Sequence, residues 1–190
     1  MPRLWKAFPL VALVTLVPPV LRSQEPSVSL YGFGGAYSAL SDLTAAGVSS
    51  VNFKAGWNAG LGIGLSLNRF LGLRGDLALV QSRRQGSGTN TDWRKLFTGA
   101  DLVLRLPLGS LAPYVFAGGG VVTLDEEGTG TPISSRRGGR GGAGIQVSAG
   151  KLAVFGQAAG WFYKWDALKF PAFTEQQFDL LYGVGVRVRL

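Results

Sequence analysis

The side chains that most often carry metal and acid–base chemistry are missing from this sequence. It contains neither cysteine nor histidine, which excludes disulfides, thiolate metal sites and every catalytic arrangement that relies on imidazole. Serine and lysine remain, but no Ser-Lys arrangement offers a nucleophile with its base. We therefore expect no enzymatic activity, no cofactor and no metal ion.

A glycine-rich stretch imitates two ligand-binding motifs. Gly139 to Gly144 matches the G-x-G-x-x-G pattern of dinucleotide sites, but such a site needs a following helix and an acidic residue about 20 positions further on. The overlapping run Arg136 to Gly142 resembles RGG segments that bind RNA, although an export signal argues against that partner. We interpret the stretch as a glycine-rich strand and expect no binding of nucleic acid.

Three consecutive acids, Asp125 to Glu127, raise the question of a divalent cation site. Calcium normally takes six or more oxygen ligands at defined spacing, which three neighbouring carboxylates do not provide. The better interpretation is a solvated acidic loop.

Residues 1–23 have the pattern of a secretory signal peptide. Arg3 and Lys6 form a positive region ahead of the apolar run Phe8 to Leu21, which is too short for a membrane-spanning helix. Cleavage after Ser23 leaves residues 24–190 as one exported domain.

Strict alternation of apolar with small or polar residues is the strongest structural signal. From Phe53 to Leu67 every second residue is apolar, and glycine dominates between them. A helix repeats its apolar positions every 3.6 residues, so a period of two indicates a strand. Segments that share this alternation, strongly or weakly, are Ser27 to Tyr37, Leu71 to Leu79, Leu96 to Leu106, Leu111 to Leu124, Arg136 to Ala149, Leu152 to Tyr163 and Phe178 to Leu190.

The connections between these segments are alternately long and short. In chain order they are Ser38 to Asn52, Asn68 to Phe70, Arg83 to Asp92, Pro107 to Ser110, Asp125 to Ser135, Gly150 to Lys151 and Lys164 to Gln176. In an up-and-down array, alternate connections lie at the same end, so one end carries long loops and the other tight turns. This asymmetry and about eight strands are typical of the smallest closed transmembrane barrels, which are antiparallel and all-β.

The composition of the two strand faces distinguishes a membrane barrel from a soluble one. A lipocalin-like barrel that binds an apolar ligand inside also alternates, but its water side carries many charged residues. Here the polar face is mostly glycine with a few compact charges, which suits a crowded lumen. The apolar face is then expected to contact lipid, with Trp57, Trp93, Tyr114 and Tyr182 as candidates for interfacial aromatic girdles.

Three segments resemble the OmpA/OmpX-like family of small outer-membrane β-barrels. They are PYVFAGGGV (Pro113 to Val121), GGAGIQV (Gly141 to Val147) and YGVGVRVRL (Tyr182 to Leu190). The resemblance covers the whole mature chain and implies a bacterial outer-membrane protein, acting as a monomer among membrane lipids. It also implies that the barrel assembly machinery recognises the final strand.

Six inward-facing charges fall in the half of the lumen near the tight turns. Buried charges persist only when they are paired and hydrogen-bonded, so we expect an interlocked lumenal charge network that blocks the pore. Its predicted members are Arg74, Asp76, Asp101, Arg105, Arg187 and Arg189.

Cationic residues also cluster at the long-loop end. Arg83, Arg84, Arg94 and Lys95 flank one long loop, and Arg136 and Arg137 close the next. Guanidinium groups there are suited to lipid phosphates, so Arg83, Arg84, Arg136 and Arg137 are candidate lipid-phosphate contacts, with solvated loop charge as the alternative.

These observations favour a non-enzymatic outer-membrane scaffold that presents its loops for structural or adhesive contact. Three alternatives remain open at this point: a lipid-modifying or proteolytic outer-membrane enzyme, a small channel, and a soluble lipocalin-like periplasmic barrel.

Overall fold

The computed structural model describes residues 26–41, 52–85, 91–126, 132–164 and 176–190, nearly all of them in β-strands. The strands are β1 (Ser27–Ala39), β2 (Asn52–Phe53), β3 (Gly56–Ser66), β4 (Leu71–Gln85), β5 (Thr91–Arg105), β6 (Leu111–Glu126), β7 (Pro132–Ala149), β8 (Leu152–Lys164) and β9 (Gln176–Arg189). Among these residues, no helix has the length and hydropathy needed to cross a membrane. The predicted signal peptide, residues 1–23, lies outside the described residues and stays a prediction.

The strands close into one antiparallel barrel. β1 pairs with β3, each strand from β3 to β8 pairs with the next, and β1 also pairs with β9, with Tyr31 opposite Arg187. The short β2 continues β3 along the same edge of β4, and the N–H of Lys54 between them donates to the carbonyl of Arg83 at 2.9 Å. Counting β2 and β3 as one, the described residues form the predicted closed barrel of eight strands. Closure leaves no free sheet edge.

Tight turns join the strands at one end of the barrel, here called the short-turn end. The side-chain oxygen of Asn68 accepts hydrogen bonds from the backbone N–H groups of Phe70 and Leu71, both at 2.8 Å. Gly109 and Gly150 adopt φ values of 69° and 62° in the other two turns, a left-handed conformation that glycine tolerates best. The opposite end is called the long-loop end.

Several strands extend further toward the long-loop end than predicted. Residues 83–85, 91–92, 125–126 and 132–135, which the sequence pattern placed in loops, belong to β4, β5, β6 and β7. Cross-strand pairing continues there after the apolar alternation ends, and Arg83 forms an ion pair with the opposite Asp92 at 2.9 Å. The interpretation of Asp125 and Glu126 as loop residues is therefore wrong, while Glu127 lies outside the described residues.

The two faces of the barrel have opposite chemistry. Outward residues are apolar and exposed, including Leu61 at 61%, Ile63 at 54% and Val184 at 69%. Inward residues are buried and include the charged side chains described below. The aromatic residues divide between the faces: Trp57 and Tyr182 point outward and are exposed, as predicted, whereas Trp93 and Tyr114 are buried in the lumen, so their assignment to a girdle is wrong.

Lumenal glycines make room for lumenal aromatic rings. Tyr114 lies against Gly144 of β7, where a Cβ atom would come within 2.5 Å of the tyrosine ring and hydroxyl, and Tyr31 lies against Gly62 of β3 in the same way. A ring thus occupies the volume that a side chain on the neighbouring strand would need. This explains why large aromatic residues face inward in a barrel of this size.

Candidate functional site

Four charged side chains meet in the middle of the lumen and form what we call the central cluster: Arg74, Asp76, Asp101 and Arg140. Arg74 Nε donates to Asp101 Oδ2 at 2.7 Å. Arg140 donates to Asp101 through Nε at 2.5 Å and Nη2 at 2.6 Å, and to Asp76 through Nη1 at 2.5 Å. Every side chain in the cluster is at most 4% exposed. The cluster is electrically balanced and joins β4, β5 and β7 across the barrel.

Neutral groups complete the hydrogen bonding of the central cluster. The hydroxyl of Tyr31 donates to Asp76 at 3.0 Å, and Arg74 Nη1 donates to the carboxamide oxygen of Gln157 at 2.7 Å. The guanidinium carbon of Arg74 also lies 3.6 Å from the ring centre of Phe116, where the electron-rich ring face attracts a cation. The contacts with Gln157 and Phe116 fix the orientation of the Arg74 guanidinium group, which is buried away from water.

A second balanced ion pair lies nearer the long-loop end. Lys95 Nζ lies 2.9 Å from Asp179 Oδ2, and both side chains are fully buried. The hydroxyls of Tyr37 and Tyr163 donate to the same carboxylate at 2.8 and 2.6 Å. We call these four residues the upper cluster. Trp161 and Phe97, with ring centres 5.1 Å apart, are packed in the same buried core of the lumen.

The six predicted members of the lumenal charge network do not form one cluster. Arg74, Asp76 and Asp101 belong to the central cluster. Arg105 and Arg187 lie closer to the short-turn end, where they donate to neutral groups: Ser66 Oγ at 3.0 Å and Gln146 Oε1 at 2.7 Å, respectively. Arg189 is exposed at the end of β9. Of the four predicted arginines, only Arg74 is balanced by Asp76 and Asp101. The second cation paired with these two carboxylates is Arg140.

Three buried charged residues were missed by the sequence analysis. Arg140 stands in a glycine-rich run whose alternation is too weak to show which residues face inward. Lys95 was predicted only as one of the cations flanking a long loop, whereas its side chain is buried in the lumen and shares its strand parity with the lumenal Phe97 and Asp101. Parity would have identified Lys95 and also Asp179, since both are inward positions on strongly alternating strands.

The lumen around the central cluster has little free space. The cavity beside Arg74, Asp76 and Arg140 measures about 10 Å³, which is the space that a single water needs. The described part of the interior therefore offers no apolar chamber for a ligand, because side chains such as Phe97 and Trp161 fill it. The lipocalin-like alternative is wrong for this reason. Within the described strands and turns, no group of three or more acidic side chains is placed to hold a metal ion.

The arginines predicted to contact lipid phosphates differ in placement. Arg83 and Arg137 are exposed on the outward face near the long-loop end, and Arg136 is partly buried. Arg84 pairs through its backbone with Phe53 and Thr91.

Comparison with known proteins identifies the fold. No protein-family model matches the sequence, and no curated protein matches it significantly. Solved structures do: Neisserial surface protein A (TM-score 0.64, 12% identity) covers 88% of this chain over 99% of its own length. Ail of Yersinia pestis, solved with the heparin analogue sucrose octasulfate, has a TM-score of 0.55 at 17% identity and covers 88% of this chain and 100% of its own.

A third similar structure is OprG, an outer membrane protein of Pseudomonas aeruginosa, with a TM-score of 0.55, 14% identity, and coverage of 88% of this chain and 97% of its own. All three are small β-barrels, two of them described as surface or attachment proteins. The chain has the fold of the small outer-membrane β-barrels, as the resemblance to the OmpA/OmpX-like family implied.

Proposed function

We propose that the protein is a non-enzymatic barrel of the bacterial outer membrane, which anchors the connections at its long-loop end for structural or adhesive contact. One observation carries this proposal: the barrel is inverted relative to a soluble protein, with apolar side chains outside and paired charges inside. Leu61, Ile63 and Val184 are more than half exposed, and a contiguous apolar surface of this kind needs lipid around it.

The closed lumen supports an anchor in preference to a channel. Eight strands enclose a space that side chains fill, whereas water-filled porins have about 16 to 18 strands. Here Arg140 spans from β7 to Asp76 on β4 and Asp101 on β5, so the central cluster crosses the interior. An ion passing this level would have to displace charge-assisted hydrogen bonds of 2.5 to 2.7 Å.

Membrane fractionation and planar-bilayer recording test the two parts of the proposal separately. Fractionation of the producing bacterium is expected to place the protein in the outer membrane, and recovery from the soluble periplasm would overturn the membrane assignment. The purified protein is expected to give no stable single-channel openings. Long-lived openings from the unaltered protein would favour the channel alternative, even if the outer-membrane location holds.

The similarity in fold to Ail supports an adhesive role for the long-loop end. Ail, the attachment invasion locus protein, was solved in complex with a heparin analogue, and it has the same barrel. Loops on a common scaffold vary freely in their partners, so the partner of this chain has to be found by experiment. Adhesion of cells that express the protein, measured against cells that express a barrel with shortened long connections, tests this role.

We also propose that the protein is a monomer and that the barrel assembly machinery recognises β9. A third proposal is that the outward arginines contact lipid phosphates. Among the four candidates, Arg83 and Arg137 are the best placed, since both are exposed on the outward face, whereas Arg136 is partly buried. Replacing Arg137 with Gln is expected to lower the free energy of unfolding of the protein by about 1 kcal/mol in vesicles of anionic lipid. In zwitterionic lipid the same replacement is expected to leave it unchanged.

A further inference from the structure

A cavity of about 160 Å³ opens at the short-turn end of the barrel. It lies between the turns and the central cluster, and we call it the basic vestibule. Since one buried water needs about 10 to 15 Å³, the vestibule has room for a polyatomic ligand. The residues that characterise it are cationic side chains and hydroxyls, namely Arg69, Arg105, Lys151, Arg187, Arg189, Ser29, Ser66, Ser110 and Ser148.

Among the described residues, no carboxylate side chain lines the basic vestibule to balance its positive charge. Of the described residues that line it, five are Arg or Lys and none is Asp or Glu. The central and upper clusters, in contrast, each contain equal numbers of cations and carboxylates. A concentration of positive charge in a concave, partly buried site attracts anions more strongly than the same charge spread over a surface.

Two arginines that line the vestibule each have an unused hydrogen-bond donor. The Nε atoms of Arg105 and Arg187 are buried, and neither has a hydrogen-bond acceptor among the described residues. Arg187 is only 7% exposed, and its Nη1 donates to a neutral carboxamide oxygen, Gln146 Oε1. A buried cation is costly without a paired negative charge, so the ligand that best completes this site is an anion.

The polar groups around these arginines are already oriented. The side-chain amide of Gln146 donates to Ser148 Oγ at 2.9 Å, which turns its oxygen toward Arg187. Arg105 Nη1 is held by Ser66 Oγ at 3.0 Å. The rings of Tyr31 and Phe155 lie 5.2 and 5.7 Å from the guanidinium carbon of Arg187. A guanidinium fixed in this way offers the planar donor pair that matches phosphate oxygens.

We propose that the basic vestibule binds a phosphate-bearing ligand with two or more negative charges. Phosphate groups of this kind occur both on lipid headgroups and on soluble diphosphates, and the vestibule is open to either source at the rim formed by Lys151 and Arg189. The site lies at the end of the barrel opposite the long loops and does not depend on the proposed adhesive role. If the long loops face the outside of the cell, as an adhesive role requires, the vestibule opens to the periplasm.

Calorimetric titration of the protein in dodecyl maltoside micelles tests the proposal, because these micelles contain no phosphate. Inorganic pyrophosphate represents the soluble source, and dihexanoyl phosphatidic acid represents the lipid source. Saturable binding of either probe, weakened by added salt, is the expected result. Tighter binding of pyrophosphate assigns a soluble ligand, and tighter binding of the lipid assigns a headgroup. Absence of saturable binding of both probes overturns the proposal.

Matched substitutions distinguish the vestibule from general attraction to a basic protein. Arg105→Gln and Arg187→Gln are each expected to weaken binding of the preferred probe at least tenfold. Lys151→Gln at the vestibule rim is expected to weaken it several-fold, whereas Lys164→Gln, an exposed lysine at the other end of the barrel, should leave it unchanged. Equal effects of the two lysine substitutions would overturn the proposal.

Folding is checked for each variant by its shift in electrophoretic mobility before and after boiling. If Arg187→Gln does not fold, Arg187→Lys and the exposed Arg189→Gln take its place. Arg187→Lys keeps the charge and removes the planar donor pair, so binding weaker than that of the unaltered protein is expected. Unchanged binding in both Arg187→Lys and Arg189→Gln would overturn the assignment to this site.

Discussion

Replacement of Asp101 by Asn is expected to destabilise the folded barrel severely. Asp101 accepts three charge-assisted hydrogen bonds, one from Arg74 and two from Arg140, at 2.7, 2.5 and 2.6 Å. The asparagine is uncharged and directs an N–H₂ group at one of the guanidinium donors. Asp76 then remains as the only carboxylate for two buried arginines.

The magnitude follows from the environment of the pair. Charge-assisted hydrogen bonds contribute about 1.5 to 3 kcal/mol each, but the asparagine oxygen keeps part of this. Breaking a buried ion pair by removal of one partner costs about 3 to 5 kcal/mol, and the Asp101 side chain is 0% exposed. We expect a loss of free energy of unfolding in that range.

Urea titration of the protein in phosphatidylcholine vesicles, followed by tryptophan fluorescence, measures this loss. The matched control is Asp92→Asn in the same strand, where the ion pair with Arg83 is largely exposed, at 39% and 57% for the two side chains. Such surface pairs contribute about 0 to 1 kcal/mol. Equal losses for Asp101→Asn and Asp92→Asn would refute the assignment of a tightly coupled central cluster.

Three further outcomes are expected. Ile63→Arg should cost about 2 to 4 kcal/mol in the same vesicle titration, because it places a cation at mid-bilayer depth, and Ile63→Leu should be nearly neutral; equal tolerance of both would mean that the two faces are reversed. Lys95→Met leaves the buried Asp179 unpaired and should cost about 3 to 5 kcal/mol, and adding Asp179→Asn should recover a large part of that loss; a purely additive double variant would contradict the pairing. Protease treatment in micelles should spare the eight strands of the barrel, since each is paired on both sides when β2 and β3 are counted as one, and digestion of the folded sample to small peptides, read by mass spectrometry, would contradict the closed barrel.

The sequence predicted the strands and their faces because a single physical rule governs both. A strand that separates an apolar from a polar environment must alternate, and Phe53 to Leu67 or Phe178 to Leu190 does so without interruption. The alternation weakens where the two environments become similar. Past the apolar band, for example at Arg83 and Asp92, both faces are polar, so the pattern could not show that pairing continues.

The lumenal contacts were harder to predict because they depend on the stagger between strands. Arg140 and Asp76 are far apart in the sequence, and only the closed barrel brings β7 opposite β4. The burial of Trp93 and Tyr114 has a related cause, since the sequence suggested interfacial roles from residue type, whereas strand parity places both rings inside. Parity deserved more weight than residue type at these two positions.

The two buried ion clusters help to set the register in which the strands of the barrel pair. Apolar alternation repeats every two residues, so a strand displaced by two positions still presents its apolar side chains outward and its glycines inward. The same displacement moves each residue by about 6.6 Å along the strand. Lys95 and Asp179, now 2.9 Å apart, would then lose contact, as would Arg140 and its two carboxylates. The native pairing of the strands and a pairing displaced by two residues bury the same apolar pattern, but only the native pairing forms the ion pairs. The central cluster specifies the alignment of β4, β5 and β7, and the upper cluster specifies that of β1, β5, β8 and β9.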